Sequence, residues 1–112
     1  MAVSVPTQII RLSCGPLAYR RYGSGAPLIL IHGWRGTSNY WQETLTSLAD
    51  IREVHAFDLP GHGETPPRAA PLTPEGLAAL TLEYADRAGL TQFDLAGHSF
   101  GGMLAMIQAG LP

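Results

Sequence analysis

Apolar positions change their spacing along the chain, and the changes mark out elements. Residues 8–12 and 17–22 are β-prone and are separated by Gly15 and Pro16, which predicts an antiparallel hairpin turning at those two residues. After Gly23-Ser24-Gly25, the run Leu28-Ile29-Leu30-Ile31 is apolar without alternation, the pattern of a central strand covered on both faces. Trp41, Leu45 and Leu48 fall at i, i+4 and i+7, so residues 39–50 are expected to form a crossover helix packed on the sheet. Residues 53–57 read as the next strand, stopped by Asp58-Leu59-Pro60-Gly61-His62-Gly63, where proline and two glycines end regular pairing.

Thr73-Pro74-Glu75 then combines a capping hydroxyl, a first-turn proline and a carboxylate at the positive dipole end, a helix start. On that helix Leu77, Leu80, Tyr84 and Ala88 share a face, and Gly89 supplies the stop. A strand over residues 92–96 follows. From Ser99 onward, Phe100, Leu104, Ile107 and Leu111 again keep helical spacing. The order β-β-β-α-β-α-β-α predicts an α/β fold, a mostly parallel sheet with an N-terminal antiparallel hairpin and flanking helices. In such sheets ligands sit at the carboxyl ends of the strands. His32-Gly33, the 58–63 segment and the 97–102 segment are expected to converge there.

Composition narrows the possible partners. The chain has 112 residues, a formal charge of −2 and 14% charged residues with no block of one sign, so nothing marks a nucleic-acid or anionic-membrane surface. Hydrophobic residues reach 46%, the balance of a folded chain: one domain or part of one. All seven basic residues are arginines, which removes a Walker-type phosphate loop and Schiff-base chemistry, since both need lysine. Cys14 stands alone without zinc-site spacing and reads as packing. No basic segment followed by an apolar run opens the sequence, and no apolar run nears the ~20 residues of a membrane span, so a cytoplasmic location is the default expectation.

Gly97-His98-Ser99-Phe100-Gly101 matches G-x-S-x-G, in which a strand turns sharply into a helix and exposes a serine at the apex. With 13 glycines and six serines the bare string arises by chance with a probability on the order of 0.1, so its weight comes from its place between a strand and a helix. Glycines at 97 and 101 suit the tight bend because a Cβ there would meet neighbouring backbone, and Gly102 relieves crowding in the same way. The alternative for Ser99 is a plain helix N-cap.

His32-Gly33-Trp34, Asp58-Leu59-Pro60-Gly61-His62-Gly63 and Gly97-His98-Ser99-Phe100-Gly101-Gly102 occur in the order of the α/β-hydrolase family, which the chain resembles over almost its whole length, in the serine-nucleophile branch. Epoxide hydrolases and haloalkane dehalogenases carry aspartate at the elbow, so Ser99 argues against those activities. The resemblance implies that Ser99 attacks a carbonyl carbon and that the backbone N–H groups of Phe100 and Trp34 hold the oxyanion, each worth about 10²-fold or more. His32 is expected to order the oxyanion loop by hydrogen bonding. The helix starting near Ser99 would add roughly half a positive charge beside the anion. No cofactor and no metal are implied.

Family order is serine, then acid, then histidine, yet residues 100–112 contain no Asp, Glu or His. The resemblance therefore implies the N-terminal portion of a larger hydrolase, with the sixth strand, the cap and the triad acid and base absent. Loss of a triad histidine costs on the order of 10⁶ in kcat, so little activity is expected from the chain alone. His98 is a poor substitute base, because neighbours at an elbow point different ways. Ordinary core or surface roles are expected for His55 and His62, a turn-anchoring role for Asp58, a strand position for Asp94 and packing for Tyr40 and Trp41. Trp34 either lines an acyl pocket or covers the sheet rim.

The function expected is hydrolysis of a small ester, thioester, lactone or related carbonyl compound through an acyl-enzyme, with perhydrolysis and carbon–carbon cleavage as related chemistries. The competing expectation is a noncatalytic association module. An open edge at residues 92–96 would pair with a complementing C-terminal chain or with a second copy.

Overall fold

The computed structural model describes residues 4–33, 35–68 and 73–98. Five strands form one sheet: β1 (Gln8–Leu12), β2 (Gly15–Gly23), β3 (Ala26–Ile31), β4 (Arg52–Phe57) and β5 (Asp94–Gly97). Their spatial order is β1-β2-β4-β3-β5, with β1 and β2 antiparallel, β2 and β4 antiparallel, and β3 parallel to both β4 and β5. The sheet is thus mixed, with the parallel part on the side of β5.

Alternation in β3 and β4 sends side chains to two apolar layers. Ile29, Ile31 and Phe57 pack with Leu12, Leu17, Leu80 and Tyr84 on one face, while Leu30, Val54 and Ala56 pack with Val5 and Leu45 on the other. The uninterrupted apolar run of β3 therefore marks a central strand, as its pattern predicts: Ile29, Leu30 and Ile31 are all buried. Helix α2 (Pro74–Arg87) covers the first face and helix α1 (Gln42–Ser47) the second.

Four local expectations are corrected. The hairpin turns at Ser13 and Cys14, and Gly15 and Pro16 already belong to β2, opposite Leu12 and Arg11. Proline is tolerated at the start of a strand, and the turn is fixed from outside by Glu83, whose carboxylate accepts from Ser13 N–H (2.6 Å) and from Ser13 Oγ (2.7 Å). The first crossover helix is shorter than residues 39–50. It opens as a 3-10 turn (Ser38–Trp41), in which Tyr40 N–H bonds Thr37 O (3.1 Å), Thr37 Oγ1 accepts from Asn39 N–H and the Asp58 carboxylate accepts from the free first N–H, that of Ser38. Tyr40 on that turn is 59% exposed instead of packed, whereas Trp41 does lie against the core. Finally β5 runs Asp94–Gly97, not 92–96, since Arg52 holds Asp94 at the strand's start (2.9 Å) and Gly97 still pairs with Ile31.

Helix α2 forms as its start signal requires: Thr73 Oγ1 accepts from Gly76 N–H at 2.9 Å, and Gly89, at φ +79°, follows the C-cap. The segment before β1 is also tied down. Gln42 accepts from Val5 N–H and donates to Val5 O, and Arg20 also donates to that carbonyl, so Val5 is buried on the α1 face. Among the described residues no helix is long and apolar enough to cross a membrane.

Candidate active site

The carboxyl ends of β3, β4 and β5 lie side by side, and the motif loops leave from them. His98 N–H donates to Ile31 O (3.1 Å), which carries the β3–β5 pairing one residue past Gly97 to the position before Ser99. His32 links the first two loops. Its ring is buried, its Nε2 accepts from Leu59 N–H at 3.0 Å, and its Nδ1 lies 2.7 Å from Gly33 O. An amide N–H can only donate, so Nε2 carries no proton and Nδ1 donates to the carbonyl: the neutral tautomer is fixed by its partners. Burial pushes the His32 pKa below its ordinary value and the nearby His62 adds to this, while the Gly33 carbonyl and Asp58 pull the other way.

Gly33 O takes a second bond from Gly36 N–H at 2.9 Å, closing a four-residue turn. Within it Arg35 has φ +65°, a left-handed conformation that no other described non-glycine residue adopts. The Gly33 carbonyl is thus held by an imidazole and an amide.

Asp58 spends its carboxylate on backbone. Oδ1 accepts from Ser38 N–H (2.6 Å) and Oδ2 from Glu64 N–H (3.0 Å), and the residue is buried. It is a brace between the turn before α1 and the glycine loop, with no oxygen left in the position of a catalytic acid. The brace needs Gly63, because at φ +51° an added Cβ would run into the Asp58 carboxylate. His62 sits in the same loop with its ring 5.0 Å from that of His32. Between the two loops lies a cleft of about 540 Å³ lined by Arg35, Thr37, Pro60 and His62 with Gly36, Gly61 and Gly63.

The ring of His98 stacks on Tyr40, 4.9 Å apart and 25° from parallel. This contact between the residue preceding Ser99 and the turn before α1 was hidden in the sequence, where Tyr40 reads as one more aromatic at helical spacing. Arg35 was likewise invisible, since only its backbone angle and its place in the cleft distinguish it. The catalytic candidates Ser99, Trp34 and Phe100, with Gly101, Gly102 and the helix expected after them, lie outside the described residues. Among the described residues no group of three or more metal-ligating side chains comes together.

His55 is in the core and away from this rim. Its Nε2 donates to Glu53 Oε1 (2.8 Å) and its Nδ1 accepts from the Tyr84 hydroxyl (2.6 Å), while Arg21 bonds the same Glu53 oxygen (2.9 Å). Burial lowers the His55 pKa and Arg21 adds to this, against the Glu53 charge and hydrogen bond. The sign of the pH effect follows. Both buried histidines bind protons less readily folded than unfolded, so the unfolded state takes up more protons below the ordinary value of 6.5. Stability is expected to be level above that value and to fall as pH drops below it, which urea midpoints at pH 7.5, 6 and 5 would measure. A midpoint that does not decrease toward pH 5 would contradict the assignment.

Comparison with known proteins agrees with this architecture. The chain is 41% identical over 88 residues to the dihydrolipoyllysine-residue acetyltransferase component of the acetoin cleaving system of Cupriavidus necator, spanning 78% of this chain and 24% of that protein. It is 37% identical over 83 residues to the pimeloyl-[acyl-carrier protein] methyl ester esterase of Vibrio cholerae, 74% of this chain and 31% of the relative. Among solved structures, an N-acyl homoserine lactonase complexed with N-hexanoyl homoserine superposes with a TM-score of 0.89 at 28% identity, over 96% of this chain and 41% of the other. The chain therefore spans about a quarter to a third of the length of these curated relatives. Residues 28–111 match the family model, which takes in β3, the glycine loops and the G-x-S-x-G segment. The chain belongs to the alpha/beta hydrolase family.

Proposed function

We propose that this chain carries the nucleophile and the oxyanion-binding part of a serine-type acyl hydrolase. Ser99 attacks the carbonyl carbon of a small ester, thioester or lactone. The negative charge gathers on the carbonyl oxygen between the N–H groups of Trp34 and Phe100, and collapse expels the alcohol or thiol to leave an acyl-enzyme that water then hydrolyses. The observation that carries this reading is the clamp on Gly33 O. The Gly33 carbonyl, held by the His32 ring and by the Gly36 amide, supports a preorganised turn at the place where this reading needs an oxyanion donor.

No residue in 100–112 can take the serine proton, and the buried His32 is committed on both nitrogens. In this reading the base and its orienting acid come from polypeptide other than these 112 residues. A fluorophosphonate probe tests this. It should label Ser99 when the chain is combined with a polypeptide supplying an alpha/beta-hydrolase acid and histidine, label it at least ~10³-fold more slowly without one, and not label the Ser99→Ala variant. Absence of labelling in every combination would favour a binding module that pairs through β5, which among the described residues is hydrogen-bonded on one side only, to β3.

A further inference from the structure

The cleft beside the Gly33–Gly36 turn is lined by Arg35, whose guanidinium is not bonded to any of the described residues. Three arginines bond within the fold, Arg20 to Ser38 and Val5, Arg21 to Glu53, and Arg52 to Ala26, Pro27 and Asp94, whereas Arg35 shares with Arg11, Arg68 and Arg87 a side chain not so engaged among the described residues, and of these four it alone lines the cleft between the two loops. Arg35 makes no hydrogen bond or ion pair with the described residues, is exposed, and lines the 540 Å³ cleft. Its backbone adds a second, independent observation. At φ +65° it occupies the left-handed position of a tight turn that favours glycine.

The surroundings leave that cation available. None of the described lining residues carries a carboxylate. The two acids of the neighbouring loop are engaged elsewhere, Asp58 with Ser38 N–H and Glu64 N–H, and Glu64 with the Thr7 hydroxyl. Arg35 also directly follows the residue whose N–H is proposed to hold the oxyanion.

We infer that this cleft binds the anionic end of an acyl substrate, a carboxylate or phosphate gripped by the planar Arg35 fork and separated by a short chain from the carbonyl that Ser99 attacks. The inference rests on the acyl-hydrolase reading for the nature of the ligand's other end, whereas its test reads binding alone. Monomethyl adipate, dimethyl adipate and 2-acetoxyethyl phosphate would be titrated into the 112-residue chain, following the amide resonances of Gly36, Gly61 and Gly63. The half-ester or the phosphate should give saturable shifts that weaken with salt, and the better of the two identifies the anion. Dimethyl adipate should bind at least tenfold more weakly.

Arg35→Gln should lose about tenfold in affinity for the anionic compounds and nothing for the diester. Arg35→Gly should lose as much while raising the melting temperature, because glycine relaxes the positive φ; that variant separates loss of binding from loss of fold. Equal binding of diester and anions, unchanged affinity in both variants, or no saturable shift with any compound would overturn the inference. In Ser99→Ala the anion should bind unchanged. Fluorophosphonate labelling that fails while half-ester binding persists would remove the hydrolase reading and leave the anion site standing.

Discussion

Asp58→Ala is expected to lower the free energy of unfolding by about 3 kcal/mol or more, because two charge-assisted hydrogen bonds of roughly 1.5–3 kcal/mol each are lost. The cost arises from what remains. Ser38 N–H and Glu64 N–H would each face a space where a carboxylate oxygen stood, in a residue environment only 2% exposed. Asp58→Asn should recover only part of the loss, since its amide oxygen can serve one N–H while its NH₂ opposes the other. Urea unfolding of the three proteins checks this, and a variant within about 1 kcal/mol of the parent would show that the brace is dispensable. The consequence extends beyond stability. The two bonds join the turn that bears Tyr40 to the loop that bears His62, so their loss should also broaden the amide resonances along the cleft.

Tyr84→Ala is the second large effect, about 3–5 kcal/mol for removing a buried aromatic. Tyr84 is fully buried at the centre of the α2 face, with ring contacts to Phe57 at 5.2 Å, Tyr19 at 5.6 Å and His55 at 5.7 Å. Burial pushes its hydroxyl pKa upward, so at all working pH values it stays a neutral donor to His55 Nδ1. The conservative Tyr84→Phe separates two contributions. It keeps the rings packed but leaves a buried imidazole nitrogen without its donor, a cost of about 1–3 kcal/mol. Guanidinium or urea curves for the pair should therefore differ by roughly 2 kcal/mol. Equal losses would mean that the hydrogen bond, rather than the ring, holds α2 to the sheet.

The elements whose sequence signals act locally were readable before the structure. Thr73, Pro74 and Gly89 bound α2 through capping and backbone geometry that need no partner, and β3 announces itself by apolar residues on both faces. Errors arose where a distant residue decides a local outcome. Glu83, 70 residues along the chain, holds the Ser13 turn; Asp58 anchors the first N–H of the 3-10 turn before α1; and Arg52 holds Asp94 at the start of β5. The same holds at the rim. G-x-S-x-G and His32-Gly33 stand out as strings, but the use of Asp58 as a brace, the Tyr40–His98 stack and the place of Arg35 in the cleft exist only once β3, β4 and β5 lie side by side.

Arg52 reaches across three adjacent strands, from its own place in β4 to the carbonyls of Ala26 and Pro27 and to the carboxylate of Asp94. As a surface ion pair it contributes little energy. As a caliper it matters more, because β5 is four residues long and a slip of one residue exchanges Leu95 and Ala96 between the two layers. Gly97 and His98, which pair with Ile31 at the carboxyl end of β3, would then be displaced by one residue along it. The point at which the chain leaves the sheet after Gly97 is in this way gauged by a side chain at the opposite end of the strands.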